Sequence, residues 1–100
     1  MCFFRQPDIQ AEVEAYRNRP DAFLVDVREP DEFRSGHIPG ALSVPLSEIR
    51  QVTLPKEKVL CLYCLRGTRS RRAASILKQM GYEQVKSIGG IVRYHGQLER

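Results

Sequence analysis

The apolar and polar positions of this chain switch repeatedly between a helical and a strand period. From Ile9 to Arg19, the apolar residues Ile9, Val13 and Tyr16 fall at i, i+4 and i+7 behind Asp8, a residue suited to a helix N-cap, and Pro20 closes the segment. An amphipathic helix is predicted there. The run A-F-L-V-D-V, 22 to 27, is short, apolar and ends at an acid, which suits a buried strand. E-P-D-E-F-R-S-G follows, with Pro30 in a first helical turn and Gly36 as the stop, so a short helix is predicted. G-A-L-S-V-P reads as a second short strand, and S-E-I-R-Q-V as one or two helical turns before Pro55. K-V-L-C-L-Y, 58 to 63, is the longest apolar strand run. In R-S-R-R-A-A-S-I-L-K-Q-M-G, Ala73, Ala74, Ile76, Leu77 and Met80 share one face and Gly81 ends the helix. Q-V-K-S-I is a last strand. Strands alternating with helices predict βα units, hence an α/β fold around a mostly parallel sheet with helices on both faces.

Composition narrows the picture. At 100 residues, 42% hydrophobic and 28% charged, the chain has ordinary globular usage, and one domain over residues 1–100 is expected. The net charge of +4 is mild, and 8% aromatic residues with no Trp argue against the basic, stacking stripe of a nucleic-acid binder. Arg66, Arg69, Arg71 and Arg72 instead cluster beside one cysteine, which points to small anions. Three cysteines, Cys2, Cys61 and Cys64, are an odd number, a poor fit to a disulfide framework and a sign of a reducing compartment. The polar N-terminus lacks a signal-peptide core and no apolar run is long enough for a membrane span, so a cytoplasmic protein with no membrane or nucleic-acid partner is expected.

The chemistry concentrates in C-L-Y-C-L-R-G-T-R-S-R-R-A-A, residues 61 to 74. Cys64 follows the longest strand and precedes the best helix, the position where parallel sheets bind ligands. In the loop C-L-R-G-T-R, successive backbone amides can converge as an anion nest, and Gly67 permits the turn. The helix dipole and the guanidinium groups of Arg66 and Arg69 would add to it. A thiol there ionises more readily than a free one, which makes Cys64 a candidate nucleophile without a histidine base; the alternative is a small buried hydrophobe at a strand end. Cys61 falls inside the strand, on one face with Val59 and Tyr63, and reads as a buried core thiol, with a resolving partner of Cys64 or a metal ligand as alternatives. His37 and His95 stand alone, without metal-ligand spacing. Asp26 and Arg28 close the second strand-helix unit as an ion pair that fixes the loop or, alternatively, touches substrate.

These residues carry a resemblance. The run L-V-D-V-R-E-P-D-E-F-R-S-G-H-I-P-G-A-L-S-V-P, 24 to 45, resembles the first signature of the rhodanese sulfurtransferase family, and residues 59 to 90 resemble its active-site loop, following helix and closing Gly-Gly. The resemblance implies a rhodanese-like fold with a central five-stranded parallel sheet, and it implies that Cys64 is the catalytic cysteine. Sulfane sulfur would pass from an anionic donor such as thiosulfate, or a persulfide, onto Cys64, then to a thiol or cyanide, or to a protein partner. Leu65, Arg66, Gly67, Thr68 and Arg69 would surround the persulfide through backbone N–H groups, with Arg66 facing the anionic donor and Asp26 and Arg28 in support. No cofactor or metal is implied. The loop from Cys64 to Arg69 counts six residues, the length of sulfurtransferases, whereas the similar phosphatases have seven. A small phosphatase or arsenate reductase, and a binding module without catalysis, are the other readings. Tyr94 stands where the family usually has a tryptophan.

Overall fold

In the computed structural model, residues 7–100 are described, so Cys2 and the reading of the extreme N-terminus lie outside the described residues. Helix α1 spans Ile9–Arg17 and is capped by Asp8, whose Oδ1 accepts the Ala11 N–H at 3.3 Å. It ends two residues before the periodicity suggests. Asn18 takes the C-cap, donating its N–H to the Ala15 carbonyl while the Arg19 N–H donates to the Tyr16 carbonyl, and the proline at 20 disfavours helical backbone at Arg19.

Strands β1 (Ala22–Asp26), β2 (Leu42–Ser43), β3 (Val59–Cys64) and β4 (Gln84–Gly90) pair in parallel in the order β2-β1-β3-β4. Four strands among the described residues replace the five that the resemblance implied. After β4 the chain tightens into a 3-10 turn at Ile91–Arg93, and near its end pairs only through an isolated antiparallel bridge between His37 and Glu99, so nothing there extends the sheet.

One of the two inner strands, β3 is buried at all six residues, which is why its sequence runs apolar without alternation. Its two faces nevertheless meet different layers. Leu60, Leu62 and Cys64 pack with Val25, with Ile49 from a 3-10 segment at Leu46–Gln51, and with Ala73, Ala74 and Leu77 of α3 (Thr68–Gln79). Val59, Cys61 and Tyr63 pack with Leu24, with Ile9 and Val13 of α1, and with Ile91. Each fully buried aliphatic side chain contributes about 1.5–3 kcal/mol by leaving water. The segment at 46–51 forms i→i+3 bonds instead of the α-helical turns its pattern suggested, as short pieces between prolines commonly do. Helix α2 (Pro30–Ser35) starts at Pro30 and stops at Gly36, as its punctuation predicts. Tyr94 packs against the α1 side, and its hydroxyl accepts from Arg17 Nη2 at 3.2 Å. Among the described residues no helix is long and apolar enough to cross a membrane.

Candidate active site

Parallel pairing brings the carboxyl ends of the strands to one edge, and Cys64 ends β3, one of the two inner strands. The chain then turns through Gly67, whose φ of 107° lies in the left-handed region that favours glycine. Gly67 is also the N-cap of α3, and no side chain caps that end. The free amides turn to the cysteine instead. Sγ of Cys64 accepts the Gly67 N–H at 3.0 Å and the Ser70 N–H at 3.4 Å. The first turn of α3 carries no acidic side chain to compete for them.

Ser70 is the residue that sequence reasoning missed. It is fully buried, its Oγ donates to the Gly67 carbonyl at 3.0 Å, and it lies 2.6 Å from Ser87 Oγ on β4. The neutral Cys64 thiol donates to Ser70 Oγ at 3.7 Å, and on ionisation the hydroxyl can rotate to donate to the sulfur. Burial pushes the Cys64 thiol up, but the Ser70 amide and hydroxyl and the Gly67 and Arg66 amides outweigh it, and the net shift is below the ordinary cysteine value. A signal existed: position 70 shares the face of Ala73, Ala74 and Leu77 at spacings of three, four and seven, where a serine breaks an otherwise apolar stripe.

Gly90 is the second missed residue. A Cβ there would overlap the Leu65 carbonyl oxygen and come within 2.5 Å of Arg66 Cα and 2.8 Å of Arg66 N, so only glycine lets β4 run beneath the loop. The register makes this contact possible. Ser87 stands opposite Leu62, and a bulge just beyond that pair shifts the register so that Gly90 instead of Gly89 stands opposite Cys64.

Above the sulfur lies a cavity of about 150 Å³ lined by Cys64, Leu65, Arg66, Thr68 and Arg69. Arg66 is exposed at its rim. Arg69 differs from expectation: its two Nη groups bind the Glu32 carboxylate at 2.6 and 3.1 Å, so its charge is shared with α2 and the amides lead in stabilising the sulfur. The Arg69 guanidinium, together with the Glu29 N–H at 3.0 Å, holds the Glu32 carboxyl down at about 2.

Asp26 and Arg28 are buried together one strand away. Arg28 donates through Nε and Nη2 to both Asp26 carboxylate oxygens, and Nη2 also reaches the Gly36 carbonyl at 2.7 Å. Its guanidinium carbon sits 5.8 Å from the centre of the Tyr63 ring, whose hydroxyl accepts the Ile38 N–H. This arrangement clamps the segment around α2 and does not line the cavity over Cys64. Cys61 points into the opposite layer, where burial raises its pKa against the opposing Lys86 ammonium. His37 stacks on Phe33 at 3.7 Å and faces the Glu99 carboxylate, and His95 is exposed. Among the described residues no three His, Cys, Asp or Glu side chains gather as metal ligands.

A parallel α/β sheet with a cysteine cradled by amides at the tip of an inner strand defines the class, and residues 10–97 match the family model of the Rhodanese-like domain. The chain belongs to that family. It is 42% identical over 81 residues to a sulfurtransferase of Allochromatium vinosum, covering 76% of this chain and 76% of that protein. It is 40% identical over 81 residues to an uncharacterized protein of Bacillus subtilis, covering 78% of this chain, and it spans 64% of that relative's length. Among solved structures, the rhodanese with anions from E. coli superposes with a TM-score of 0.72 at 29% identity, over 79% of this chain and 98% of that one.

Proposed function

We propose that this protein is a sulfurtransferase that carries sulfane sulfur on Cys64. The observation that carries the reading is the Cys64 sulfur under converging amide donors, 3.0 Å from Gly67 N and 3.4 Å from Ser70 N, at the base of a small cavity. A thiolate so held attacks the outer sulfur of thiosulfate. The sulfur–sulfur bond of the donor breaks, its electron pair leaves on sulfite, and Cys64 becomes a persulfide. A thiolate or cyanide then attacks the outer persulfide sulfur and the pair returns to Cys64 Sγ, so each half-reaction balances without an added oxidant. The backbone amides of Leu65, Arg66, Gly67, Thr68 and Arg69 receive the outer sulfur's negative charge, and Arg66 at the rim attracts the anionic donor. Asp26 and Arg28 act from further away, holding the segment around α2 whose Glu32 pairs with Arg69. The cavity of about 150 Å³ has room for the outer persulfide sulfur together with a small anionic donor. The similarity to a sulfurtransferase of Allochromatium vinosum supports the same reaction class. A reducing compartment, which we take to be the cytoplasm, keeps such a thiol free.

Incubation with thiosulfate and cyanide tests this directly. Thiocyanate should form, and the protein should gain the mass of one sulfur atom in the absence of cyanide. Absence of both signals, with turnover of a phosphate ester in their place, would reject the reading.

A further inference from the structure

A second, larger groove of about 400 Å³ adjoins the cavity over Cys64. Arg50, Arg69, Arg72, Leu46, Ile76 and Glu29 line it, and Arg69 also lines the cysteine cavity, so the two border one another at that side chain. Leu46 and Ile76 are half-buried against the core and give an apolar lining. Arg69 is already bound by Glu32. Arg50 and Arg72 are not: both are exposed, and among the described residues neither lies within ion-pair distance of a carboxylate. The six residues that precede the described chain, M-C-F-F-R-Q, contain no acid to neutralise them.

We propose that this groove binds the sulfur acceptor, a low-molecular-weight zwitterionic thiol carrying carboxylate groups and an ammonium, such as a small peptide-like thiol. The proposal rests on the sulfurtransferase reading. A volume of about 400 Å³ falls in the range of roughly 300–1,000 Å³ that small-molecule sites occupy. Arg50 and Arg72 present the forked donors that carboxylates match, while Glu29 repels a carboxylate and accepts an ammonium, which orients the ligand. Arg69 borders both spaces, so a ligand seated here with its thiolate toward Arg69 faces the outer sulfur of the Cys64 persulfide. The new sulfur–sulfur bond forms as the old one breaks, Cys64 regains its thiolate, and the acceptor leaves as a persulfide.

Glutathione serves as the probe. The protein is loaded with thiosulfate, desalted, and discharged with glutathione, with neutral 2-mercaptoethanol, or with cyanide. In the Arg50→Ala/Arg72→Ala double variant, the glutathione concentration giving half-maximal discharge should rise roughly tenfold, while discharge by neutral 2-mercaptoethanol changes far less and cyanide reports any general loss of anion attraction. Binding of unreactive S-methylglutathione, measured by calorimetry on unloaded protein, should weaken by the same factor. Equal responses to glutathione and 2-mercaptoethanol, or S-methylglutathione binding that ignores both arginines, would overturn the proposal. Failure of the protein to take up sulfur would overturn the sulfurtransferase reading instead, and the calorimetric arm still decides whether the groove holds the ligand.

Discussion

Two thiols three residues apart on one strand meet opposite fates. Cys61 and Cys64 both belong to β3 and both are almost completely buried, yet the strand alternation sends them to different layers. Around Cys61 the neighbours are apolar and burial dominates, so the thiol stays protonated. Cys64 pays the same desolvation, but it sits where the strand ends and α3 begins, and the amides that the helix leaves unbonded offset that burial. The difference teaches that burial alone does not decide a thiol's reactivity; the backbone beside it does.

The sharpest way to break the contrast is to remove each sulfur in turn. Cys64→Ser should abolish sulfur uptake and thiocyanate formation, whereas Cys61→Ser should retain both and cost only stability, about 1–3 kcal/mol for a hydroxyl buried among apolar side chains. Equal loss in the two variants, measured by thiocyanate assay, would make the C-x-x-C a functional pair after all. Next in size is Gly90→Ala. The added methyl meets backbone on the loop side, so the loop must move, with turnover falling roughly 100-fold and stability by about 1–3 kcal/mol while slow alkylation of Cys61 is unchanged. Thermal unfolding and peptide-resolved alkylation check both parts.

Ser70→Ala sharpens the comparison from within. It removes the hydroxyl but keeps the Ser70 amide, so the Cys64 ionisation should move up and sulfur uptake at neutral pH fall roughly tenfold, the worth of one hydrogen bond to a charged group, with recovery at alkaline pH. A flat pH profile for the ratio of variant to wild type would argue for a merely structural serine. The smallest effect belongs to Glu32→Gln. Because the folded Glu32 value of about 2 lies below its ordinary 4.5, the ion pair with Arg69 stabilises fully above 4.5 and loses that contribution as pH falls toward 2. The variant should lack this acid-limb loss, and at neutral pH should be less stable by about 0.2–1 kcal/mol, as the pair is partly exposed. Chemical denaturation across that pH window measures it.

The elements were legible where local pattern sufficed. The apolar run at 58–63, the helical stripe through Ala73, Ala74 and Leu77, and the glycine between them located Cys64 at a strand-to-helix turn. What was not legible arises from pairing across the chain. Glu32 meets Arg69 from 37 residues away, and its acidic side chain looks in sequence like any first-turn helix residue. Gly90 stands opposite Cys64 only because a bulge in β4 offsets the register, and bulges leave no fixed spacing; Ser87 meets Ser70 from 17 residues away. The strand count implied by the resemblance differed for a similar reason, since edge strands depend on which distant segment pairs.

The most direct test is a titration of Cys64 alone, in a Cys2→Ser/Cys61→Ser background, following the rate of iodoacetamide alkylation against pH. The account predicts a half-maximal rate at a pH below the value of about 8.5 for free cysteine. A midpoint at or above that value would mean that the amides of Gly67 and Ser70 do not overcome burial, and the sulfur carrier would have to be sought elsewhere.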